Sequence, residues 1–224
     1  TGSFPCEYDK KEGIENLNKA SEIFHNLGLK YNEALCLSIA GRSYFEIHNE
    51  EKGTEYFNKA LDIYREAGSK LGEMEVYTMI YKSYSYSMED KSAKALYYND
   101  RALEIAVQLT DNDKRPEVLN IYSKPDDLKI KSNKLLTIAC CYWERGQIMF
   151  DMMNFAEAIE YNKKALQLLQ DVQGDRERVI SLERCIYGEM NAYCTVMGNF
   201  REAQRYERKL MEIDKKLYDG SPSY

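Results

Sequence analysis

The chain has 224 residues, 44% of them apolar and 30% charged, with a net charge of −6. That is enough apolar material for one sizeable core or one stacked array. An acidic chain without a long Lys/Arg run is a poor binder of nucleic acid. Abundant Leu, Ala, Glu and Lys with only four prolines lean the prior to an all-α chain. Taken in order, Thr1–Ser3 read as a cloning remnant and residues 1–9 as a flexible lead. They lack the apolar segment of a signal peptide. A helix is expected over Lys10–Leu27, with Gly13, Leu17 and Ala20 in a small–bulky–small series and Gly28 as its stop. Tyr31–His48 repeats the three- and four-residue apolar step with Leu37, Gly41 and Tyr44. Glu50–Ala67 follows with Gly53, Phe57 and Ala60, and Gly68 ends it. Leu71–Met88 places Tyr77, Ile80 and Tyr84 on its stripe, with Tyr81 where a small residue is expected. Ala95–Leu109 carries Ala95, Tyr98 and Ala102 in register.

The register then breaks. The positions Ala20, Ala60, Ala102, Ala165 and Leu210 are separated by 40, 42, 63 and 45 residues. The long interval contains residues 111–127, with Pro116 and Pro125, which read as an inserted loop. Leu128–Asp151 is expected as one long helix with Tyr142, Gly146 and Met149 on a stripe. Its partner carries Ala158, Ile159, Ala165 and Leu166, after a break at Asp151–Asn154. Asp175–Met197 has Tyr187, Met190 and Cys194 on its stripe, with Asn191 in the small position. Gly198-Asn199 makes the turn, Phe200–Tyr218 carries Ala203, Tyr206 and Leu210, and residues 219–224 form a polar tail.

The alternation of bulky and small residues over YWERGQIMFDMMNFAEAIEYNKKALQLL and EALCLSIAGRSYFEIHNEEKGTEYFNKALDIYREAG resembles the tetratricopeptide repeat. That helix–turn–helix unit buries its apolar face only by stacking. The resemblance covers roughly residues 10–218 and implies a single all-α array, a right-handed α-α superhelix, interrupted by the insert. The spacing exceeds the usual repeat of about 34 residues. It is similar to the longer-helix subtype of LGN/Pins-type adaptors, kinesin light chain and bacterial peptide-sensing regulators, and also to SNAP-family arrays.

No nucleophile elbow, phosphate loop, HExxH or EF-hand pattern occurs, so no enzyme, metal or cofactor is expected. His25 and His48 fall near helix ends, and adjacent carboxylates such as Glu50-Glu51 point about 100° apart and share no site. The six cysteines form no CxxC pair, and Cys36, Cys140, Cys185 and Cys194 read as small hydrophobes in helical stripes. Cys141 is expected to pack while Cys140 faces a groove. These features, with no N-x-S/T site and no span long enough for a bilayer, point to the cytoplasm.

In tetratricopeptide arrays the first helix of each pair lines a concave face. Counting from the stripes, that face carries Ser38, Arg42 and Phe45, then Thr78, Lys82, Ser85 and Tyr86, then Trp143, Gln147 and Phe150. Arg42 and Lys82 hold equivalent places, and a cation pair among aromatics suits an acidic, partly apolar peptide. Trp143 is the expected anchor. Chaperone-binding repeats hold a terminal carboxylate with Asn after the small Gly. Here Arg42 follows Gly41 and Gln147 follows Gly146, so that clamp is not expected. The expected role is a protein-binding adaptor or scaffold. The alternative is a structural subunit that packs by its ends or convex face.

Overall fold

The computed structural model describes residues 5–85, 92–110, 134–174 and 176–219, with side-chain environments from residue 10 to 215. These residues are all-α, of tetratricopeptide-repeat type, with no strand among them. The helices are α1 (Pro5–Asn26), α2 (Lys30–Glu46), α3 (Glu50–Glu66), α4 (Lys70–Ser85), α5 (Ser92–Gln108), α6 (Lys134–Asp151), α7 (Phe155–Leu169), α8 (Arg176–Val196) and α9 (Phe200–Asp219). They divide into two compact units, Thr1–Ser132 and Asn133–Tyr224. The expected insert at 111–127, the start of the expected long helix before Lys134, Tyr86 and the tail beyond Asp219 lie outside the described residues. Helix α1 begins at Pro5 rather than Lys10, and Pro at a first helical position has the right φ already.

In the first unit α2 pairs with α3 and α4 with α5, while α2 also lies beside α4. In the second, α6 pairs with α7, α8 with α9, and α6 lies beside α8. The crossings are close because of the small residues. A Cβ at Gly41 would lie 3.1 Å from the Gly53 carbonyl oxygen, and one at Gly146 would lie 3.1 Å from the Ala158 carbonyl oxygen. The third crossing uses the same carbonyl differently. Asn191 fills the small position and donates Nδ2–H to the Ala203 carbonyl oxygen at 3.0 Å. Tyr81 also occupies a small position and is buried. Gly13 and Gly188 have nothing within 4 Å of where a Cβ would stand.

One turn geometry joins α2 to α3, α6 to α7 and α8 to α9. His48 (φ 60°), Met153 (φ 61°) and Gly198 (φ 71°) take the left-handed conformation. In each case an Asn follows, and its amide donates back to the carbonyl five residues earlier: Asn49 to Tyr44, Asn154 to Met149 and Asn199 to Cys194, each at 2.8 Å. This is the Schellman ending of a helix. Asn49 then caps α3 by accepting from Lys52 N–H at 3.2 Å. The second unit's core joins Leu136, Ala139, Ala165, Leu169, Leu182, Ile186, Met190, Cys194, Ala203 and Tyr206. Ala158 and Ala165 are completely buried, as the small-residue register requires. Cys185 departs from its expected place: it is exposed, whereas Cys194 is buried and Cys36 half-buried. It follows Arg184 on the outer side of the stripe defined by Leu182, Ile186 and Met190.

Candidate binding face

The expected inner-face residues fall in both units, and each unit sets its own environment. In the first, Arg42 is exposed on α2 and its Nε lies 3.5 Å from Glu46 Oε1, one turn along the same helix. Ser38 is not a surface group. It is 1% exposed and donates to the Ala34 carbonyl oxygen at 2.7 Å. A small hydroxyl that can bond its own helix tolerates that burial. Phe45 is half-buried and fills the space above Gly53, with its ring 5.8 Å from Phe57 and 5.1 Å edge-on from Tyr84. It is a wedge joining α2, α3 and α4. Thr78, Lys82 and Ser85 are half-buried along α4.

In the second unit the structure brings Trp143, Gln147 and Phe150 together on α6 and turns them toward α8. Trp143 Nε1 donates to Glu189 Oε2 at 2.8 Å, and Gln147 Nε2 donates to Glu189 Oε1 at 2.7 Å. Tyr193 OH, one turn after Glu189, donates to Oε2 at 3.1 Å, and Asn162 Nδ2 on α7 reaches Oε2 at 3.5 Å. The Phe150 ring stacks on Tyr193 at 4.4 Å and packs against Phe155 at 5.3 Å. Gly146 makes the Asn162 approach possible, because a Cβ there would stand 2.5 Å from Asn162 Oδ1.

Burial raises the Glu189 carboxyl, and the hydrogen bonds from Gln147, Trp143, Tyr193 and Asn162 offset only part of that rise. Desolvation first, and then the nearby Glu189 charge, push the Tyr193 phenol far up, so it stays protonated and donates. Glu144 on α6 is 5% exposed, and burial pushes it up to about 8. Among the described residues no group of three or more His, Cys, Asp or Glu could hold a metal ion. No helix among them is long and apolar enough to cross a membrane.

Glu189, Asn162 and Tyr193 were not among the residues expected at the face. The counting rule takes positions three before, one after and four after the small crossing residue. Glu189 lies two before Asn191, on the flank of α8 that meets the preceding first helix. The signal that finds it is a carboxylate at the same register as Glu144, which is likewise two before its crossing residue.

No family model matches the chain, and no curated protein sequence does. Solved structures do match its fold. BtubC (BKLC) from P. vanneervenii superposes with a TM-score of 0.55 at 12% identity, covering 96% of this chain and 94% of that one. NprR, solved in complex with its cognate peptide NprX, superposes with a TM-score of 0.53 at 18% identity, covering 95% of this chain and 54% of that one.

Proposed function

We propose that the chain is a non-catalytic adaptor or scaffold module of the longer-helix tetratricopeptide kind. It holds a peptide or helix of a partner protein against the inner faces of its first helices. The observation that carries this reading is the pairing of α2 with α4 and of α6 with α8. It sets successive first helices side by side within each unit, and on α6 Trp143 and Gln147 give that face half-buried aromatic and polar groups. The peptide held by NprR, whose fold this chain resembles, supports the same class of ligand. In the first unit Arg42 and Lys82 suit acidic groups of that ligand. The same reading has the module acting in the cytoplasm without a cofactor, in keeping with the free cysteines Cys36, Cys185 and Cys194.

A second reading, the structural subunit, draws on one feature. Val196, Met197 and Phe200 are exposed together at the α8–α9 turn, with Met211 exposed further along α9.

The test is selection of peptides from a random peptide phage library on the immobilised full chain, followed by hydrogen-exchange footprinting of the selected peptides. Protection is expected on α2, α4, α6 and α8. Paired reversal by Arg42→Glu and Lys82→Glu should weaken binding about ten-fold or more. No enriched peptide, or protection confined to α9 and the Phe200 end, would sink the groove reading; the second outcome would put the structural subunit in its place.

A further inference from the structure

Four donors from three helices converge on the Glu189 carboxylate, and all four are neutral. They fix its orientation without supplying a counter-charge. The distribution of those bonds is uneven. Oε2 receives Trp143, Tyr193 and the long Asn162 contact, while Oε1 receives Gln147 alone. A carboxylate has about four acceptor sites, two on each oxygen, so Oε1 keeps one open. The residue is half-buried rather than sealed in the core.

Six cations of this unit have other contacts. Lys163 pairs with Glu160, Arg184 with Asp214, Arg205 with Glu202 and Lys209 with Glu212. Arg145 and Lys164 lie over the Tyr161 ring. Among the described residues no Lys or Arg pairs with Glu189. Asp151 adds a second negative charge on the Tyr193 side, where it opposes ionisation of that phenol. It is the last residue of α6, where the helix's own carbonyl end is already negative. The fully buried Asn162 directs its Nδ2 at Glu189, and its Oδ1 has no partner. Around these groups stand the Trp143 indole and the stacked Phe150 and Tyr193 rings. Aromatic faces attract cations, the indole most strongly.

We propose that Glu189, framed by Trp143, Phe150, Tyr193 and Asp151, receives a cationic side chain, Arg or Lys, of the bound peptide. The inference rests on the peptide-binding reading and names the ligand chemistry of its second-unit part. It revises the expectation for Trp143, which was grouped with Arg42 and Lys82 as a wall for acidic segments. The wall around Trp143 has the opposite charge. The cation supplies what the four neutral donors lack, and it offsets the desolvation that burial imposes on the carboxylate.

The test uses the same library selection on the full chain, read now for composition. Peptides enriched on the native chain should share an Arg or Lys at one position. For the leading peptide, replacing that Arg by citrulline, or that Lys by Gln, should weaken binding about ten-fold or more, read from Trp143 emission. Glu189→Gln should abolish the preference for the cation, while Glu189→Asp should keep the preference at lower affinity. Circular dichroism checks that each variant stays helical. If Glu189→Gln fails to fold, the citrulline or Gln comparison on the native chain decides alone. Enriched peptides without a shared cation overturn this inference and leave the groove reading standing. So does an unchanged affinity for the neutral peptide. No enriched peptide at all overturns both.

Discussion

Glu144 and Glu189 occupy the same register, and burial raises both, yet their environments divide them. Glu189 accepts hydrogen bonds from four neighbours that counter part of the rise burial causes. Burial dominates at Glu144 and pushes it from the ordinary 4.5 up to about 8. At neutral pH the folded chain therefore keeps a proton on Glu144 that the unfolded chain has released. The contribution of this group to stability is full below about pH 4.5, declines as pH rises, and is lost above about pH 8. The slope within that window is at most about 1.4 kcal/mol per pH unit. Glu144→Gln removes the titration. Urea unfolding should then show the variant gaining on the native chain by about 1 kcal/mol or more between about pH 5.5 and about pH 8.5. A stability difference that does not change with pH would show that Glu144 is charged in the fold.

Among the elements, the helix crossings were the most legible feature of the sequence. Gly41, Gly53, Gly146 and Ala158 mark them because two backbones approach where a side chain has no room. Asn191 stands in the small position without being small, yet it meets the equivalent carbonyl and bonds it. The turns were harder to read. Gly198-Asn199 announces its left-handed residue, but His48 and Met153 adopt the same conformation without being glycine. The Asn that follows each was the better sign. Of the candidate face, the placing of Trp143, Gln147 and Phe150 along one side of α6 was legible and their contacts on α8 were not. Helical period tells which side of a helix is apolar, whereas Glu189 is selected by a neighbour 46 residues away, Trp143.

The crossings also give a test by contrast. Gly146→Ala puts a Cβ 2.5 Å from Asn162 Oδ1 and should destabilise the chain by about 1–3 kcal/mol. Gly188→Ala meets nothing within 4 Å. It should leave stability unchanged or raise it by up to about 1 kcal/mol, through helix propensity. Asn162→Ala clears the space at Gly146, so the double variant should cost less than the sum of the two singles. Additive costs in chemical denaturation would remove Asn162 from the account of that crossing.

At the scale of the whole molecule, charge distinguishes the proposed faces of the two units, each taken by itself. The chain carries 31 Lys and Arg against 37 Asp and Glu, so its net field of −6 draws in cations and repels anions. Arg42 is a local exception, but Glu46 beside it, itself paired with Lys10, offsets part of that charge. A ligand led in by a basic residue toward Glu189 is therefore steered by the whole molecule, whereas one led in by an acidic residue toward Arg42 and Lys82 works against it. Salt shortens the reach of this field, from about 10 Å at about 0.1 M to about 3 Å at about 1 M. For a selected basic peptide, stopped-flow association followed by Trp143 emission should slow by several-fold, up to about ten-fold, between low and high salt. The dissociation rate should change less, because the contact at Glu189 is half-buried and screened weakly. An association rate that rises with salt would mean that an anionic segment leads the encounter, and that Arg42 and Lys82 set the partner's charge. A rate indifferent to salt would mean that the aromatic groups alone capture the ligand.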